Sequence, residues 1–167
     1  MSFLIRSDKQ YFCDFPVFHF IGAICNGNLA KTHYLSILFQ FEQEELVSRI
    51  GHQVEMIIIE EMPMLIPCLN FSISLIVRQW IKQCFLNTLD WVDIIHFILI
   101  QLLFGKDYII YCCVSIFYHL QDKIAQENPN ELIELLRCKP IEDFHFYDYF
   151  SKMEELEKQY QHLISKS

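Results

Sequence analysis

The sequence predicts an all-α protein, a bundle of roughly seven or eight helices packed orthogonally or as antiparallel pairs, and three observations support this class. Hydrophobic residues make up 53% of the 167 residues and charged residues 20%, a balance that supplies a core and excludes intrinsic disorder. Only 4 glycines and 5 prolines occur, which is too few for collagen-like or linker-rich chains. Apolar residues recur at the spacing of one helix face, without the strict alternation of strands.

The clearest helix is predicted over residues 72–88, where Ser72 or Asn70 can cap its start. Trp80 lies at the centre of its apolar stripe, and we expect this stripe to face the core. The stripe comprises Ile73, Ile76, Val77, Trp80, Ile81, Cys84 and Phe85.

A second amphipathic helix is predicted over residues 43–62, with most of its glutamates off the apolar stripe. We expect Gly51 to weaken this helix by up to ~1 kcal/mol relative to alanine. Pro63 and Pro67 then break the chain, so residues 63–71 are predicted to form an apolar connector. The stripe comprises Leu46, Ile50, Val54, Ile57 and Ile58.

The segment Trp91–Phe104 is predicted to be the central helix of the bundle, capped by Asp90, because its apolar residues go nearly all the way round. Gly105 ends it, and Asp107 is predicted to cap the next helix, residues 108–127. That helix is expected to turn Ile109, Ile110, Cys113, Phe117 and Leu120 inward.

Two more helices follow the turn at residues 128–130, a short one over 130–137 and a last one over 146–164. The last helix carries glutamates on its outer side, and we interpret it as a solvated helix that closes the core and can also present charge to a partner. Its inward side is predicted to comprise Phe146, Tyr149, Phe150, Met153, Leu156, Tyr160 and Leu163.

The first 42 residues are predicted to contain two aromatic-rich helices, Phe12–Cys25 and Leu29–Phe41, joined by a turn. We therefore divide the chain into an N-terminal helical segment, residues 1–42, and a C-terminal helical lobe, residues 43–167.

Charge and cysteine usage narrow the possible functions. The net charge of −8 and the lack of any basic run argue against nucleic-acid binding. The start of the chain does not have the pattern of a secretory signal, and the apolar run Ile94–Phe104 is too short to span a membrane, although a membrane hairpin of 92–104 and 108–120 stays an alternative. The 7 cysteines show no C-x-x-C spacing, so we predict mostly small buried side chains in a reducing compartment, with neither a disulfide framework nor a zinc site.

No spacing of residues predicts catalytic chemistry. His96 is either a buried general base or, as we favour, a hydrogen-bonded core histidine, and His145 is expected in a loop or at a helix start. Glu60 and Glu61 are adjacent and should diverge on a helix, which disfavours a shared proton. Nucleophile-elbow, Walker and dinucleotide-binding motifs do not occur, so we predict no catalytic, cofactor-binding or metal-binding residues.

Several segments resemble a known family. Trp80 and Phe85, five residues apart before two apolar helices, resemble the C-terminal half of a TBC domain, the fold of Rab GTPase-activating proteins. The similarity is closer to the broad-minded (Bromi) family, over about residues 72–160. It rests on Val77–Trp91, Gly105–Tyr108, His119–Asp122 and Asp148–Glu157.

The catalytic residues of TBC proteins do not carry over to this sequence. Active members supply an arginine from I-x-x-D-x-x-R, which neutralises charge on the γ-phosphate, and a glutamine from Y-x-Q, which orients the attacking water. Ile5 and Asp8 fit the first motif, but Tyr11 stands at the arginine position, and we interpret the match as coincidental. Y-x-Q does not occur, and the family's Trp-Asp pair is absent near residues 97–99.

The resemblance implies a non-catalytic TBC-like interaction scaffold with a role in cilium assembly and Hedgehog signalling. Its implied partners are a cell-cycle-related kinase or a Rab-type small GTPase, and its implied location is the cytoplasm, including the cilium or ciliary base. The alternative is a Rab GTPase-activating protein whose arginine and glutamine fingers lie upstream of the matched region.

Overall fold

The computed structural model describes residues 44–69 and 71–164, except the side chains of residues 129 and 130. This part of the chain is all-α, as predicted, and contains six α-helices and three short 3₁₀ turns. The two helices predicted within residues 12–41 lie outside the described residues. The α-helices are α1 (Glu44–Glu61), α2 (Ile73–Lys82), α3 (Trp91–Phe104), α4 (Ile109–Gln126), α5 (Pro129–Cys138) and α6 (Phe150–Ile164).

Helix α4 is the central helix of the described bundle. Every residue from Tyr108 to Phe117 is buried, and α4 packs against α1, α3 and α6. The ring of Phe117 lies 5.2 Å from that of Trp80, which is fully buried as predicted. The prediction that α3 is central was wrong, because Leu103 at the end of α3 is 76% exposed.

Helices α1 and α2 pack closely, and Gly51 permits the contact. A Cβ atom at Gly51 would lie 2.9 Å from the carbonyl oxygen of Ser74, closer than side chains normally approach. The glycine that weakens α1 locally therefore allows the backbone of α2 to come near. Along the predicted stripe of α1, Ile50, Val54 and Ile57 are buried, whereas Leu46 is only partly buried.

The start of α2 is capped across space. Ser72 occupies the cap position, which is one of the two predicted cap positions, but its hydroxyl makes no hydrogen bond to the helix backbone. The carboxylate of Glu55 on α1 instead accepts from the backbone N–H of Ile73 at 3.0 Å and from the Ser72 hydroxyl at 3.2 Å. An anionic cap also suits the positive end of the helix dipole. Asn70, the other predicted cap, lies outside the described residues.

Helix α2 ends at Lys82, six residues before the predicted end at residue 88. The N–H of Phe85 donates to the carbonyl of Trp80 and that of Cys84 to Ile81, both at 2.9 Å, which is the hydrogen-bond pattern of a Schellman stop. Cys84 and Phe85 have positive φ angles of 48° and 58°, where glycine is usual. Phe85 is nevertheless fully buried, so the periodicity identified its burial but not its conformation.

The turn between α3 and α4 is held by Gln101. Asp90 caps α3 as predicted, accepting from the N–H groups of Val92 and Asp93, and Gly105 ends the helix at φ 93°. The predicted cap of α4 by Asp107 was wrong, because its exposed side chain makes no capping bond. When the amide oxygen and nitrogen of the buried Gln101 are exchanged, both atoms gain partners: the oxygen accepts from the N–H of Ile109 at 3.1 Å and the nitrogen donates to the Lys106 carbonyl at 3.1 Å.

The last two helices follow the predictions with small shifts. Asn128 caps α5, its side chain accepting from the N–H of Glu131 at 3.1 Å. Residues 146–149 form a 3₁₀ turn before α6, and Leu163, predicted inward, is 41% exposed while Ile164 is buried. In the part of the chain that the structure describes, no helix combines the length and apolar character needed to cross a bilayer.

Candidate functional site

The outer face of α3 is apolar and open to solvent. We define this outer face as Val92, Leu99, Leu102, Leu103 and Phe104. Val92, Leu103 and Phe104 are exposed by 41%, 76% and 44%, and the other two are partly buried. A helix that is apolar on all sides is normally covered on all sides, so an open apolar face indicates a binding surface.

Aromatic stacking holds the end of this outer face in place. The Phe104 ring stacks on that of Tyr108 at 4.7 Å and lies 5.5 Å from that of Phe150 at the start of α6. Tyr108 is buried, so the exposed Phe104 rests on a fixed neighbour. The outer face is therefore a preformed surface, which lowers the entropy that a partner must remove on binding.

A buried carboxylate, Asp93, anchors the first turn of α3. Its oxygens accept from the backbone N–H of Phe146 at 3.1 Å and bond to Nδ1 of His145 at 3.0 Å. This hydrogen bond raises the pKa of His145. His96 is partly exposed, and its Nδ1 lies 3.7 Å from a carboxylate oxygen of Asp93. Both predictions for His96, a buried general base and a hydrogen-bonded core histidine, were therefore wrong. His145 precedes a 3₁₀ turn, which fits its predicted helix start.

A second polar cluster surrounds Glu61 at the junction of α1, α4 and α6. Its carboxylate accepts from the hydroxyls of Tyr118 at 2.6 Å and Tyr160 at 2.8 Å and pairs with Lys152 at 3.3 Å. Glu60 is exposed whereas Glu61 is partly buried, so the adjacent carboxylates diverge as predicted. All three partners stabilise one charge, which indicates a structural tie rather than acid–base chemistry.

Burial and hydrogen bonding act on the pKa of Glu61 in opposite directions. Burial alone would raise this pKa, but the hydrogen bonds from Tyr118, Tyr160 and Lys152 outweigh burial and hold it below the usual range. Burial, with the hydrogen bond to Glu61, raises the pKa of Tyr118 to about 12. At neutral pH the glutamate is therefore charged and the tyrosine is a hydrogen-bond donor.

The sequence signals for these two clusters were weak. Asp93 is a single acidic residue within an apolar segment, so it did not stand out. Tyr118 and Tyr160, which bond to Glu61, lie 57 and 99 positions away along the chain. Nothing in local spacing joins residues so far apart. Only the rarity of a charged residue at an inward position of α3 could have singled out Asp93.

The cysteines and the TBC motif positions show no further site within the described residues. Cys112 and Cys113 are buried, Cys68 and Cys84 are partly buried, and Cys138 is exposed, so burial holds for only part of the described set. Among described residues, no three His, Cys, Asp or Glu side chains converge as a metal site would need. Tyr11, at the arginine position, lies outside the described residues.

The last helix presents charge while it closes the core, as predicted. Met153, Leu156 and Tyr160 are buried under α4 and α1, and Glu154 and Glu155 are exposed. The acidic side is thus a solvated surface of the bundle.

Comparisons with known proteins agree with this architecture. A family model described as the broad-minded protein Rab TBC domain matches residues 32–167. Protein broad-minded of Mus musculus is 34% identical over 118 residues, which is 68% of this chain and 9% of the relative. Protein broad-minded of Danio rerio is 34% identical over 123 residues, 71% of this chain and 10% of the relative.

The chain thus spans about a tenth of the length of these curated relatives. No solved structure matches it. Because the family model covers most of the chain and both relatives share a third of the aligned residues, the chain belongs to the broad-minded Rab TBC domain family.

Proposed function

We propose that this chain is a non-catalytic TBC-like interaction module that binds a Rab-type small GTPase without accelerating its GTP hydrolysis. In this role it serves cilium assembly and Hedgehog signalling in the cytoplasm, at the cilium or ciliary base. A cell-cycle-related kinase is the further partner that the family resemblance implies. The observation that carries the binding role is the open apolar outer face of α3.

The positions of the arginines support the non-catalytic part of the proposal. The arginines in the described part of the chain, at positions 49, 78 and 137, all lie within helices. Arg78 pairs with Glu44, and Nε of Arg137 donates to Gln79 at 2.7 Å. An arginine finger must reach into the nucleotide site of its partner, and side chains already engaged with their own fold are poorly placed to do so.

Single-turnover GTP hydrolysis by a panel of purified Rab proteins tests the lack of catalysis. A working arginine finger accelerates hydrolysis by 10³–10⁵-fold, so we expect the full chain to change the rate by less than about threefold. An acceleration above about 100-fold for any Rab would overturn the non-catalytic proposal and favour a GTPase-activating protein.

Binding of the same Rab proteins, loaded with a non-hydrolysable GTP analogue, tests the role of the outer face. Leu103→Asp places a charge at the most exposed position of the outer face and should reduce binding by more than about tenfold, because an unpaired carboxylate must be desolvated. Leu86→Asp is the matched control, since Leu86 is 43% exposed on the turn after α2. Equal losses in both variants would argue against this face as the binding surface.

The cellular part of the proposal needs a cellular test. A tagged full chain should concentrate at the cilium or ciliary base, and removal of the protein should lower the fraction of ciliated cells and the Hedgehog response. Co-precipitation of a cell-cycle-related kinase with the tagged chain checks the implied partner. A uniform distribution with normal cilia would contradict the proposed cellular role.

A further inference from the structure

We propose that the groove between α2 and α5 binds an acidic amphipathic helix of a partner protein. This inference goes beyond the proposed function, because it names a second surface and its ligand and needs neither a Rab protein nor the outer face of α3. The groove combines an apolar floor with a cationic rim, in a protein whose net charge is −8.

The floor of the groove offers apolar contact. Leu75 projects into it with 59% of its surface exposed, on the outer side of α2. Phe71 and Ile133 line it as partly buried side chains, and Ile76 lies buried beneath. Residues of mixed origin, from α2, from the segment before it and from α5, thus form one concave strip.

The rim of the groove is positively charged. Arg78, Lys82 and Arg137 line it, and no carboxylate occurs among the described lining residues. Glu44 on α1 pairs with both Arg78 and Lys82, so one negative charge is shared between two positive ones. The carboxylate of Glu55 also accepts from Ser72 at one end of the groove. Three positive charges thus face two negative ones, so the net charge of the rim is positive, opposite in sign to that of the whole chain.

Hydrogen bonds between the two helices fix the width of the groove. Nε2 of Gln79 donates to the backbone carbonyl of Arg137 at 3.0 Å, and Nε of Arg137 donates to Oε1 of Gln79 at 2.7 Å. Nε1 of the buried Trp80 donates to the carbonyl of Leu136 at 2.7 Å. These bonds hold α5 against α2 and orient the guanidinium of Arg137 at the rim.

An apolar strip with a cationic rim fits a helix that has leucines on one face and carboxylates beside them. The apolar side chains would cover Leu75, and the carboxylates would meet the rim with the planar, paired contacts that arginine favours. A bilayer of anionic lipid fits less well, because it cannot follow a concave groove and would also face the acidic remainder of the surface.

Fluorescence anisotropy with the full chain tests the groove. The probe is a labelled helical peptide of about 18 residues, five turns, with leucine along one face and glutamate elsewhere. A peptide with lysine in place of every glutamate is the charge control. The glutamate peptide should bind, and its affinity should fall by more than about fivefold between 50 and 300 mM salt, because the rim charges are screened.

Two double variants locate the binding. Lys82→Glu with Arg137→Glu reverses the rim and should weaken binding of the glutamate peptide by at least about tenfold. Lys123→Glu with Lys158→Glu makes the same change in net charge at exposed positions of α4 and α6 and should change affinity by less than about twofold. Leu75→Ala, at a position that is 59% exposed, should weaken binding of the same peptide without changing its salt dependence.

Four outcomes would overturn the proposal: no binding of the glutamate peptide, equal binding of the lysine peptide, equal losses in the two double variants, or tighter binding to phosphatidylcholine vesicles with phosphatidylserine than to the peptide. If Lys82→Glu with Arg137→Glu abolishes peptide binding, the results of the Rab hydrolysis test and of the Leu103→Asp binding test do not change. Failure of this inference and failure of the proposed function are therefore distinguishable.

Discussion

Helices α3 and α4 follow each other in the chain, and their burial runs opposite to their composition. Helix α3 is the more apolar of the two, yet its outer face is open, whereas α4 carries polar residues and is buried along its first nine residues. Helix α4 contacts α1, α3 and α6, so neighbours cover it on several sides. The comparison shows that hydrophobicity reveals which surfaces must be covered, but not whether the same bundle covers them.

The largest expected effect tests the centre of the bundle beside α4. Trp80→Ala should lower the free energy of unfolding by ~3–5 kcal/mol, because it empties a site against Phe117 and leaves the Leu136 carbonyl without its donor. Urea denaturation followed by circular dichroism measures the change. An unchanged midpoint would show that α4 is not packed as described.

A matched pair of leucines compares the two helices directly. Leu120→Ala on α4 removes a side chain that is 3% exposed and should cost ~2–5 kcal/mol. Leu103→Ala on α3 removes one that is 76% exposed and should cost less than ~0.5 kcal/mol. Thermal melts at one pH measure both variants. Similar losses in the two would contradict the difference in burial.

Glu61 tests how the edge of α4 is tied to α1 and α6. Glu61→Gln should cost ~1–3 kcal/mol at pH 7, because charged hydrogen bonds to Tyr118, Tyr160 and Lys152 are weakened. The folded pKa of Glu61 is lowered, so its stabilisation is present above the ordinary pKa and is lost as the pH falls through the folded pKa. The gap in melting temperature between wild type and variant should therefore narrow in acid.

Glu142→Gln, at an exposed loop position, is the control for the charge change and should melt like the wild type at each pH. A gap for Glu61→Gln that stays constant from pH 7 to about pH 3 would contradict the role of its charge.

The smallest effect concerns the polar anchor of α3. The pKa of His145 is raised because it bonds to the buried Asp93, so Asp93→Asn should shift that pKa down. The stabilisation by this pair is full below about pH 6.5 and is lost as the pH rises through the folded pKa. Titration of the imidazole resonances by NMR measures the pKa of His145 in the wild type and in the variant. An unshifted His145 titration would contradict the contact.

Local signals in the sequence were sufficient for most helix starts. Asp90 before α3 combines a capping side chain with an apolar period, and this predicted cap is confirmed. Asn128 was predicted only as part of a turn, and its side chain in fact caps α5. The start of α2 was also placed correctly, although Glu55, and not Ser72, is its cap. A capping residue on another helix gives no signal in the sequence near the helix that it caps. Glu55 could therefore be identified as the cap only from the structure.

Helix ends and surface exposure were predicted less well. The stop after Lys82 depends on residues that rarely adopt positive φ angles, so the apolar period continued past the true end. The open outer face of α3 was missed because periodicity reports only the composition of a helix. The N-terminal boundary near residue 42 stays a prediction.

The stop of α2 has a consequence for how the chain folds. Cys84 and Phe85 adopt left-handed backbone conformations against their own preference, and the fully buried Phe85 ring lies 4.8 Å from that of Phe97 on α3. Tertiary contact, and not the local code, therefore sets where α2 ends. An isolated peptide of residues 72–88 lacks this tertiary contact. Any helix that it forms should therefore continue past residue 82, where the helix of the intact protein ends.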